Sequence, residues 1–202
     1  MLIAHRGFYD DYIPENSFEA FKICLTRNIP IELDIRMTKD KKLIVFHDSN
    51  TFRMCKVNKI IEKTNYDVLK DLKLKKSKET IPLLIDVLNL VNDKVLLLIE
   101  IKGKKEVAKE VLKITNKYKN IYFHSFNKKV VNYIKKKTNK KVGLITFGIR
   151  NVKTKADFIS VKCENAKNIK NKELFLWNIE DKKDLEKYKN YNNYIVYIKN
   201  FL

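Results

Sequence analysis

Nine short runs of aliphatic and β-branched residues, each long enough for one β-strand, recur along the chain, and helical patterns separate most of them. The runs lie at 2–4, 31–35, 43–46, 95–101, 121–123, 142–147, 158–161, 174–177 and 194–198. The continuously apolar run VLLLIEI at 95–101 is typical of a strand covered on both faces, as in a parallel sheet. Alternating strands and helices favour an α/β fold, and this number of strands favours a (β/α)8 TIM-type barrel over an open doubly wound sheet.

The helical patterns lie at 17–27, 67–73, 84–91, 105–118, 128–137 and 181–188. Their expected first residues or caps are Asn16 or Ser17, Asn127, and Glu180 or Asp181. Only residues 36–42 separate the second and third strand-like runs, which is too short for a helical crossover. We therefore expect either a local antiparallel turn or an irregular barrel at that point. The strand-poor segment 49–80 predicts a short excursion after the third strand, and no boundary divides the single barrel domain expected over 1–202.

Composition excludes several classes of protein. With 45% hydrophobic and 11% aromatic residues the chain can bury a core, which excludes a disordered or collagen-like protein. No window approaches the roughly 18 uninterrupted apolar residues of a membrane span, and the opening MLIAHRG offers no signal-peptide core. Cys24, Cys55 and Cys163 lack the spacing of a zinc site or a disulfide framework. We expect reduced thiols and a cytoplasmic location.

The net charge of +19 is unevenly distributed, since residues 101–202 carry 26 of the 43 basic residues and 9 of the 24 acidic ones. Most of the excess is lysine scattered among Asn and Ile, which favours a solvated surface over a specific nucleic-acid site. The alternative is electrostatic steering of anionic substrates or weak binding to an anionic surface.

Ionisable residues lie within or directly after four of the early strand-like runs. They stand in the segments His5-Arg6-Gly7, Glu32-Leu33-Asp34, His47-Asp48 and Glu100-Ile101-Lys102. Because the carboxyl ends of barrel strands converge on one mouth, we expect these side chains to lie close together. Several carboxylates buried there need compensation, and oxygen ligands favour a divalent cation such as Mg²⁺ or Ca²⁺.

Two of the three histidines, His5 and His47, each close a strand and precede a charged residue. Imidazole titrates near the pH at which general acids and bases are most effective, so this pair is a candidate for acid and base catalysis. His124 also follows a strand, in IYFHSF, and we interpret it as a structural residue.

These segments resemble a known family. The motifs are HRG at 5–7, PENS at 14–17 leading into FEAF, IELDIRMTKDKKLIVFHD at 31–48, the following Arg53, IP at 81–82 and IEIK at 99–102. In order, spacing and strand context they are similar to the glycerophosphodiester phosphodiesterase family, of the PLC-like phosphodiesterase barrel superfamily. The similarity continues more thinly through HSFN at 124–127, VGLI at 142–145 and LWNIED at 176–181.

The resemblance implies a metal-dependent barrel that hydrolyses glycerophosphodiesters to glycerol 3-phosphate and an alcohol. It implies metal ligation by Glu32, Asp34 and Glu100, acid and base roles for His5 and His47, and phosphate binding by Arg6 and Lys102. Glu15 and Asn16 match a segment beside the site, with a turn and helix cap as the alternative. Trp177 and Phe126 match pocket-wall positions, with core packing as the alternative.

The implied substrate is a small glycerophosphodiester or a glycerol-phosphate unit of a polymer. One alternative function is a phospholipase-D-like enzyme that cyclises an intact lipid, although no exposed apolar loop is evident in the sequence. Another is a catalytically silent anion-binding barrel, against which the intact His and carboxylate set argues. The chain departs from the family at IPLLIDVL, residues 81–88, and in its last strand, which puts substrate range and strand closure in doubt.

Overall fold

The computed structural model describes residues 1–75, 77–148 and 154–202, and within these ranges the chain forms nine strands and seven α-helices. The strands are β1 Leu2–His5, β2 Ile31–Met37, β3 Leu43–Val45, β4 Leu97–Ile101, β5 Ile121–Ser125, β6 Val142–Thr146, β7 Phe158–Lys162, β8 Glu173–Ile179 and β9 Asn193–Val196. The helices are α1 Phe18–Thr26, α2 Phe52–Cys55, α3 Tyr66–Leu69, α4 Leu84–Val91, α5 Lys105–Thr115, α6 Lys128–Lys135 and α7 Lys182–Lys187. All nine predicted strands are found.

Eight of the strands close a parallel barrel in the order β1-β9-β8-β7-β6-β5-β4-β2, and β2 returns to β1 through the pairs Ala4 with Ile31 and His5 with Glu32. The predicted TIM-type architecture is confirmed. β3 lies outside this ring and pairs antiparallel with β2, with Ile35 opposite Val45. The short connection between the second and third strands is therefore the local antiparallel turn.

Helix starts follow the expected cap chemistry. Ser17, not Asn16, caps α1, because its Oγ accepts from the backbone N–H of Ala20. Asn127 caps α6 and Asp181 caps α7 in the same way. The predicted helix at 67–73 is shorter than expected, since α3 ends at Leu69.

The segment 49–80 forms the predicted excursion in its described part. It contains α2, a 3-10 turn at Ile61–Lys63 and α3. Its apolar side chains pack with Ile44 of β3 and with two flanking residues in a small separate cluster, made of Ile44, Phe46, Met54, Ile61, Leu69, Leu74 and Ile81. The excursion is thus anchored to the outer strand and holds the loop after β3 at the edge of the barrel mouth.

The lower interior of the barrel is a packed apolar floor made of Ile3, Leu98, Phe158, Phe175 and Ile195. Gly143 on β6 is required there, because a Cβ at that position would lie 2.1 Å from the Phe158 ring. This floor separates the mouth from the amino-terminal end of the barrel.

The last strand closes the ring despite its unusual sequence. β9 pairs with β8 on one side and with β1 on the other, where Leu2 lies opposite Tyr194. A bulge between Trp177 and Ile179 leaves Asn178 in the left-handed region at φ 65°. Among the helices in the described ranges, none has the length and apolar character that a membrane span requires.

Candidate active site

A cavity of about 530 Å³ opens at the carboxyl end of the barrel strands. Its walls include predicted site residues from six separate chain segments: His5, Arg6, Glu32, His47, Glu100, Lys102, Phe126 and Trp177. Asp34 and Glu15 lie directly behind this wall, where they contact Arg6. The structure thus brings together every residue that the sequence singled out for the site.

The HRG segment makes a tight turn at the end of β1. Arg6 has φ 60° and Gly7 has φ 80°, so both lie in the left-handed region. A Cβ at Gly7 would lie 3.0 Å from the side chains of Ala20 and Phe21, so only glycine lets the turn pack this closely on α1. The turn aims the backbone N–H of Arg6 at Glu32 Oε2, 3.1 Å away.

Three carboxylates from β2 and β4 are buried at the base of the cavity. Burial and the neighbouring Asp34 raise the pKa of Glu32 to about 7 and also raise the pKa of Glu100. Burial alone would raise the pKa of Asp34 as well, but Lys102 and Arg6 hold it well below its usual range. Negative charge is therefore concentrated on Asp34 and is costly on the other two.

Two cations neutralise part of this charge. Arg6 Nη1 donates to Glu15 Oε1 at 2.8 Å, and its Nε lies 3.3 Å from Asp34 Oδ2. Lys102 Nζ donates to Glu100 Oε1 at 2.7 Å and lies 3.2 Å from Asp34 Oδ1. Both cations line the cavity, so they can contact an anionic ligand without leaving the carboxylates.

The two candidate catalytic histidines occupy different surroundings. His5 Nε2 lies 4.0 Å from Glu32 Oε2, while His47 Nδ1 forms a 2.7 Å hydrogen bond with Asp48 Oδ1. Burial lowers the pKa of both imidazoles, so both are mainly neutral near pH 7. The Asp48 contact fixes the ring of His47 and leaves its Nε2 free to exchange a proton.

Arg53 joins the two histidine-bearing loops. Its Nε donates to Asp48 Oδ2 at 2.6 Å, and its two terminal nitrogens donate to the two oxygens of Glu15 at 2.9 and 2.6 Å. Glu15 in turn accepts from Arg6. A continuous chain of charge-assisted hydrogen bonds thus runs from His47 to Arg6. Sequence analysis identified Arg53 only as part of a motif, because the side chains that it contacts are brought together by the fold.

Asn16 acts on a carboxylate and not as a helix cap. Its Nδ2 donates to Asp34 Oδ2 at 2.8 Å, and its backbone adopts φ 56°. Asn16 is buried and its backbone N–H donates to the carbonyl of Arg6. It therefore fixes the orientation of Asp34 relative to the HRG turn.

His124 belongs to the site, although the sequence suggested only a structural role for it. The residue is buried on β5, its Nδ1 lies 2.9 Å from Ser160 Oγ, and its Nε2 lies 3.7 Å from Glu32 Oε1. Burial lowers the pKa of His124 to about 4. The signal available in the sequence was its register, since His124 pairs directly with Glu100 once β4 and β5 are placed side by side.

The opposite wall of the cavity is aromatic. Phe126 stacks on Phe147 with ring centroids 5.3 Å apart, and Phe147 meets Trp177 edge to face at 5.6 Å. Phe126 and Phe147 are 47% and 65% exposed, so the expectation of no exposed apolar loop is wrong at this rim. Sequence analysis did not identify Phe147 as a site residue, because it is the last residue of a strand-like run and the apolar pattern predicts a core position for it.

The donor groups at the base of the cavity fit a divalent cation. Glu32, Glu100 and His124 each offer an atom within 4.8 Å of the others, and all three are buried. Within the described residues, His124 Nε2 is buried and has no hydrogen-bond partner, and Asp34 Oδ1 has the 3.2 Å ion-pair contact with Lys102 Nζ. Two carboxylates with raised pKa values beside an unpartnered imidazole nitrogen are stabilised by a cation. Asp34 is already engaged by Asn16, Arg6 and Lys102, and its role as a ligand stays a prediction.

A sequence profile of the glycerophosphoryl diester phosphodiesterase family matches residues 5–176. The chain belongs to this family. Membership confirms the resemblance that the motifs suggested. It also extends the match beyond the dense motifs at 5–102 into β8, so most of the barrel lies within the matched region, with Phe126 and Phe147 of the aromatic wall inside it and Trp177 just beyond its end.

Curated glycerophosphodiester phosphodiesterases show similar sequences. The protein from Caldanaerobacter subterraneus is 32% identical over 161 residues, which cover 72% of this chain and 66% of that protein. The protein from Bacillus altitudinis is 36% identical over 113 residues, which cover 52% and 46% respectively. The matches thus span between about half and two thirds of these relatives.

Solved structures of the family share the barrel. A phosphodiesterase from Oleispira antarctica, in complex with the product sn-glycerol-3-phosphate, has a TM-score of 0.87 at 19% identity and covers 98% of this chain and 93% of its own. The glycerophosphodiester phosphodiesterase from Thermotoga maritima has a TM-score of 0.81 at 26% identity, with coverage of 99% and 96%. The chain therefore has the fold of this phosphodiesterase family.

Proposed function

We propose that the protein hydrolyses glycerophosphodiesters to glycerol 3-phosphate and an alcohol, using a divalent cation and two catalytic histidines. The observation that carries the proposal is the meeting of two imidazoles, two cations and buried carboxylates in one cavity of the barrel mouth. A phosphodiester is a small anion that needs positive charge on one side and proton donors and acceptors on the other. This cavity offers both.

Arg6 and Lys102 are the proposed phosphate-binding groups. Displacement at phosphorus develops negative charge on the nonbridging and leaving oxygens, and a guanidinium and an ammonium stabilise that charge. Both cations are held by carboxylates before the substrate arrives, so little reorganisation is needed on binding. Glu15 acts here by holding Arg6, whereas Trp177 and Phe126 provide a wall for the glycerol or the leaving alcohol.

His5 and His47 are the proposed proton-transfer groups. One imidazole takes the proton of the attacking hydroxyl, which belongs to water or to the adjacent glycerol carbon, and the other protonates the leaving alkoxide. Attack by the glycerol hydroxyl forms a cyclic phosphate, which water then opens to give glycerol 3-phosphate. Asp48 orients the ring of His47 through the 2.7 Å hydrogen bond. The two residues reach the cavity from β1 and from the loop after β3, so they can act on opposite sides of one phosphate.

Glu32, Asp34 and Glu100 are the proposed ligands of the cation, Mg²⁺ or Ca²⁺ by the preference of oxygen donors. A cation bound there supplies a Lewis acid that polarises a phosphoryl oxygen. The raised pKa values of Glu32 and Glu100 support this assignment, because these carboxylates lack a full complement of positive charge in the protein alone.

Release of glycerol 3-phosphate tests the proposal. The substrates are glycerophosphocholine, glycerophosphoethanolamine and glycerophosphoglycerol, each assayed with EDTA and then with added Mg²⁺ or Ca²⁺. We expect metal-dependent turnover that falls by about 100-fold or more in His5→Ala and Glu32→Gln. Glu106→Gln on the exposed face of α5 is the matched control and retains activity. If the folded His5→Ala and Glu32→Gln variants match the parent, the site assignment is wrong.

The exposed Phe126 and Phe147 favour one alternative, a phospholipase-D-like phosphodiesterase that cyclises an intact lipid. ³¹P NMR of the products separates the two reactions, because a cyclic phosphate resonates apart from glycerol 3-phosphate. Complete inactivity of a folded, metal-loaded protein toward all the small diesters would favour a polymeric glycerol-phosphate substrate first. A catalytically silent anion-binding barrel would follow if the polymer is also untouched.

We further propose that residues 1–202 act as one catalytic barrel in the cytoplasm. The continuous ring of eight strands, to which the two ends of the chain contribute neighbouring strands, supports the single unit.

A further inference from the structure

His124 is a buried residue with one ring nitrogen that faces carboxylates and has no hydrogen-bond partner among the described residues. A purely structural role does not explain this arrangement. His124 lies on β5 directly beside Glu100 of β4, and it is 2% exposed. Its Nε2 points toward Glu32 Oε1 at 3.7 Å, and no hydrogen-bond partner for that nitrogen exists in the described part of the chain. A buried imidazole nitrogen facing two carboxylates needs a proton or a cation between them.

Ser160 holds Nδ1 of His124, so Nε2 is the ring nitrogen that faces the carboxylates. Its Oγ, on β7, lies 2.9 Å from His124 Nδ1 and is the only partner that the structure gives to that ring among the described residues. When Nδ1–H donates to Ser160, Nε2 carries the lone pair. This is the arrangement in which a hydrogen bond to one ring nitrogen orients the other toward a metal.

We propose that His124 Nε2 binds the active-site cation together with Glu32 and Glu100, and that this nitrogen gives the site a preference for a first-row transition cation such as Mn²⁺ over Mg²⁺ and Ca²⁺. The inference rests on the cation of the proposed function and adds a nitrogen donor to its oxygen ligands. Carboxylates alone suit Mg²⁺, Ca²⁺ and Mn²⁺ alike, whereas an added imidazole nitrogen favours a first-row transition cation over Mg²⁺ and Ca²⁺. The three donor atoms already lie within 4.8 Å of one another.

The test measures binding directly on the full chain, without reference to hydrolysis. Protein stripped with EDTA is titrated with Mn²⁺, the free ion is followed by EPR, and the bound ion is examined by pulsed EPR. Protein labelled with ¹⁵N-histidine distinguishes imidazole from backbone nitrogen. We expect histidine coupling to bound Mn²⁺ in the parent and in His5→Ala, and loss of that coupling in His124→Gln.

Two further variants separate ligation from packing. Ser160→Ala removes the orienting hydrogen bond, and we expect it to weaken Mn²⁺ binding by about tenfold. Phe158→Leu is the matched control, because Phe158 is fully buried and packs 6.5 Å from the His124 ring but offers no donor. We expect His124→Gln to weaken Mn²⁺ at least about tenfold and Mg²⁺ by less than about threefold.

Absence of histidine coupling in the Mn²⁺-loaded parent, or equal weakening of Mn²⁺ and Mg²⁺ in His124→Gln, overturns the inference. If Phe158→Leu weakens Mn²⁺ binding as much as Ser160→Ala and His124→Gln do, the effect is due to packing and the inference is also overturned. The fate of the proposed function is read separately. If histidine couples to bound Mn²⁺ but no diester is hydrolysed, His124 remains a ligand and the proposed function is rejected. If metal-dependent hydrolysis occurs without histidine coupling, the proposed function remains and His124 is rejected as a ligand.

Discussion

The mouth of the barrel has one charged side and one aromatic side. The carboxyl ends of β1, β2 and β4 and the loop after β3 bring charged or titratable groups to the cavity, namely His5, Arg6, Glu32, His47, Glu100 and Lys102. From β6 to the turn after β9, the described lining is Ile145, Phe147, Ser160, Trp177, Asn178, Ile179, Glu180, Ile195, Tyr197 and Asn200, of which Glu180 alone is charged.

This asymmetry divides the work of the site. In the proposed function the phosphate and the transferring protons lie on the charged side, where the donors are already oriented by one another. The aromatic side offers surface but little charge, which suits an organic group of variable shape. Changes on the charged side should therefore affect the chemical step for every substrate, and changes on the aromatic side should discriminate among substrates.

The largest effect is expected from the two histidines. Replacement of either His5 or His47 by alanine should lower kcat by about 10² to 10⁴, the range of general acid and base catalysis. The two variants should differ with a nitrophenyl diester of glycerophosphate, because that leaving group departs without a proton. Steady-state kinetics compares the nitrophenyl diester with glycerophosphocholine, whose leaving alcohol needs a proton. The general acid is the residue whose replacement lowers kcat for glycerophosphocholine but much less for the nitrophenyl diester.

If the nitrophenyl diester restores kcat equally in both variants, or in neither, the assignment of separate acid and base roles is contradicted. Far-UV circular dichroism and thermal unfolding show whether each variant is folded before the rates are compared.

A smaller effect is expected from Arg53, which contacts no substrate group in the proposed function. Arg53→Lys keeps the charge but cannot donate in a fork to Glu15 and also bond Asp48. Loss of this positioning should lower kcat by about tenfold to 100-fold. Arg27→Lys, at the end of α1, is the matched control for the same substitution elsewhere.

A double-mutant cycle checks that Arg53 acts through Asp48. Arg53→Lys and Asp48→Asn should be strongly non-additive, because both interrupt the same hydrogen-bond chain to His47. Additive losses would show that Arg53 serves the fold or the substrate independently of His47.

The sequence predicted the charged side better than the aromatic one, for a physical reason. Residues such as Glu32 and Glu100 interrupt apolar strands, so their cost of burial is visible in the sequence itself. The nine strands were equally visible from their apolar runs. Phe147 and Trp177 are apolar residues in apolar runs, and nothing in a linear pattern separates a pocket wall from a core.

Contacts between distant strands were also beyond sequence reasoning. The hydrogen bond of His124 to Ser160 joins β5 to β7 across the inside of the ring and depends on the closed barrel. The Arg53 contacts with Glu15 depend on how the excursion packs beside β3. The antiparallel pairing of β3 was one of two open alternatives, because a seven-residue connection fixes proximity but not direction.

The aromatic side should respond selectively to substrate. Phe147→Ala removes the ring that bridges Phe126 and Trp177, which should lower kcat/KM by about two- to tenfold for diesters with a bulky or cationic alcohol. Glycerophosphoethanolamine, with its smaller alcohol, should be less affected than glycerophosphocholine. Phe52→Ala on α2 removes another exposed aromatic ring and should change neither.

An equal loss for all diesters would place the glycerol, the part they share, against the aromatic wall. The aromatic side would then bind the glycerol and not the variable alcohol, whereas the role proposed for the charged side would be unchanged.

The smallest effect is expected from the lysines at the amino-terminal end of the barrel. Lys119, Lys136 and Lys137 are exposed there, in segments that precede β5 and β6. A five-residue strand spans roughly 16 Å, about twice the screening length of roughly 8 Å at physiological ionic strength. Replacing all three by glutamine should therefore change kcat/KM by less than about twofold. A larger loss that disappears at high salt would instead show that the lysine excess steers anionic substrates to the mouth.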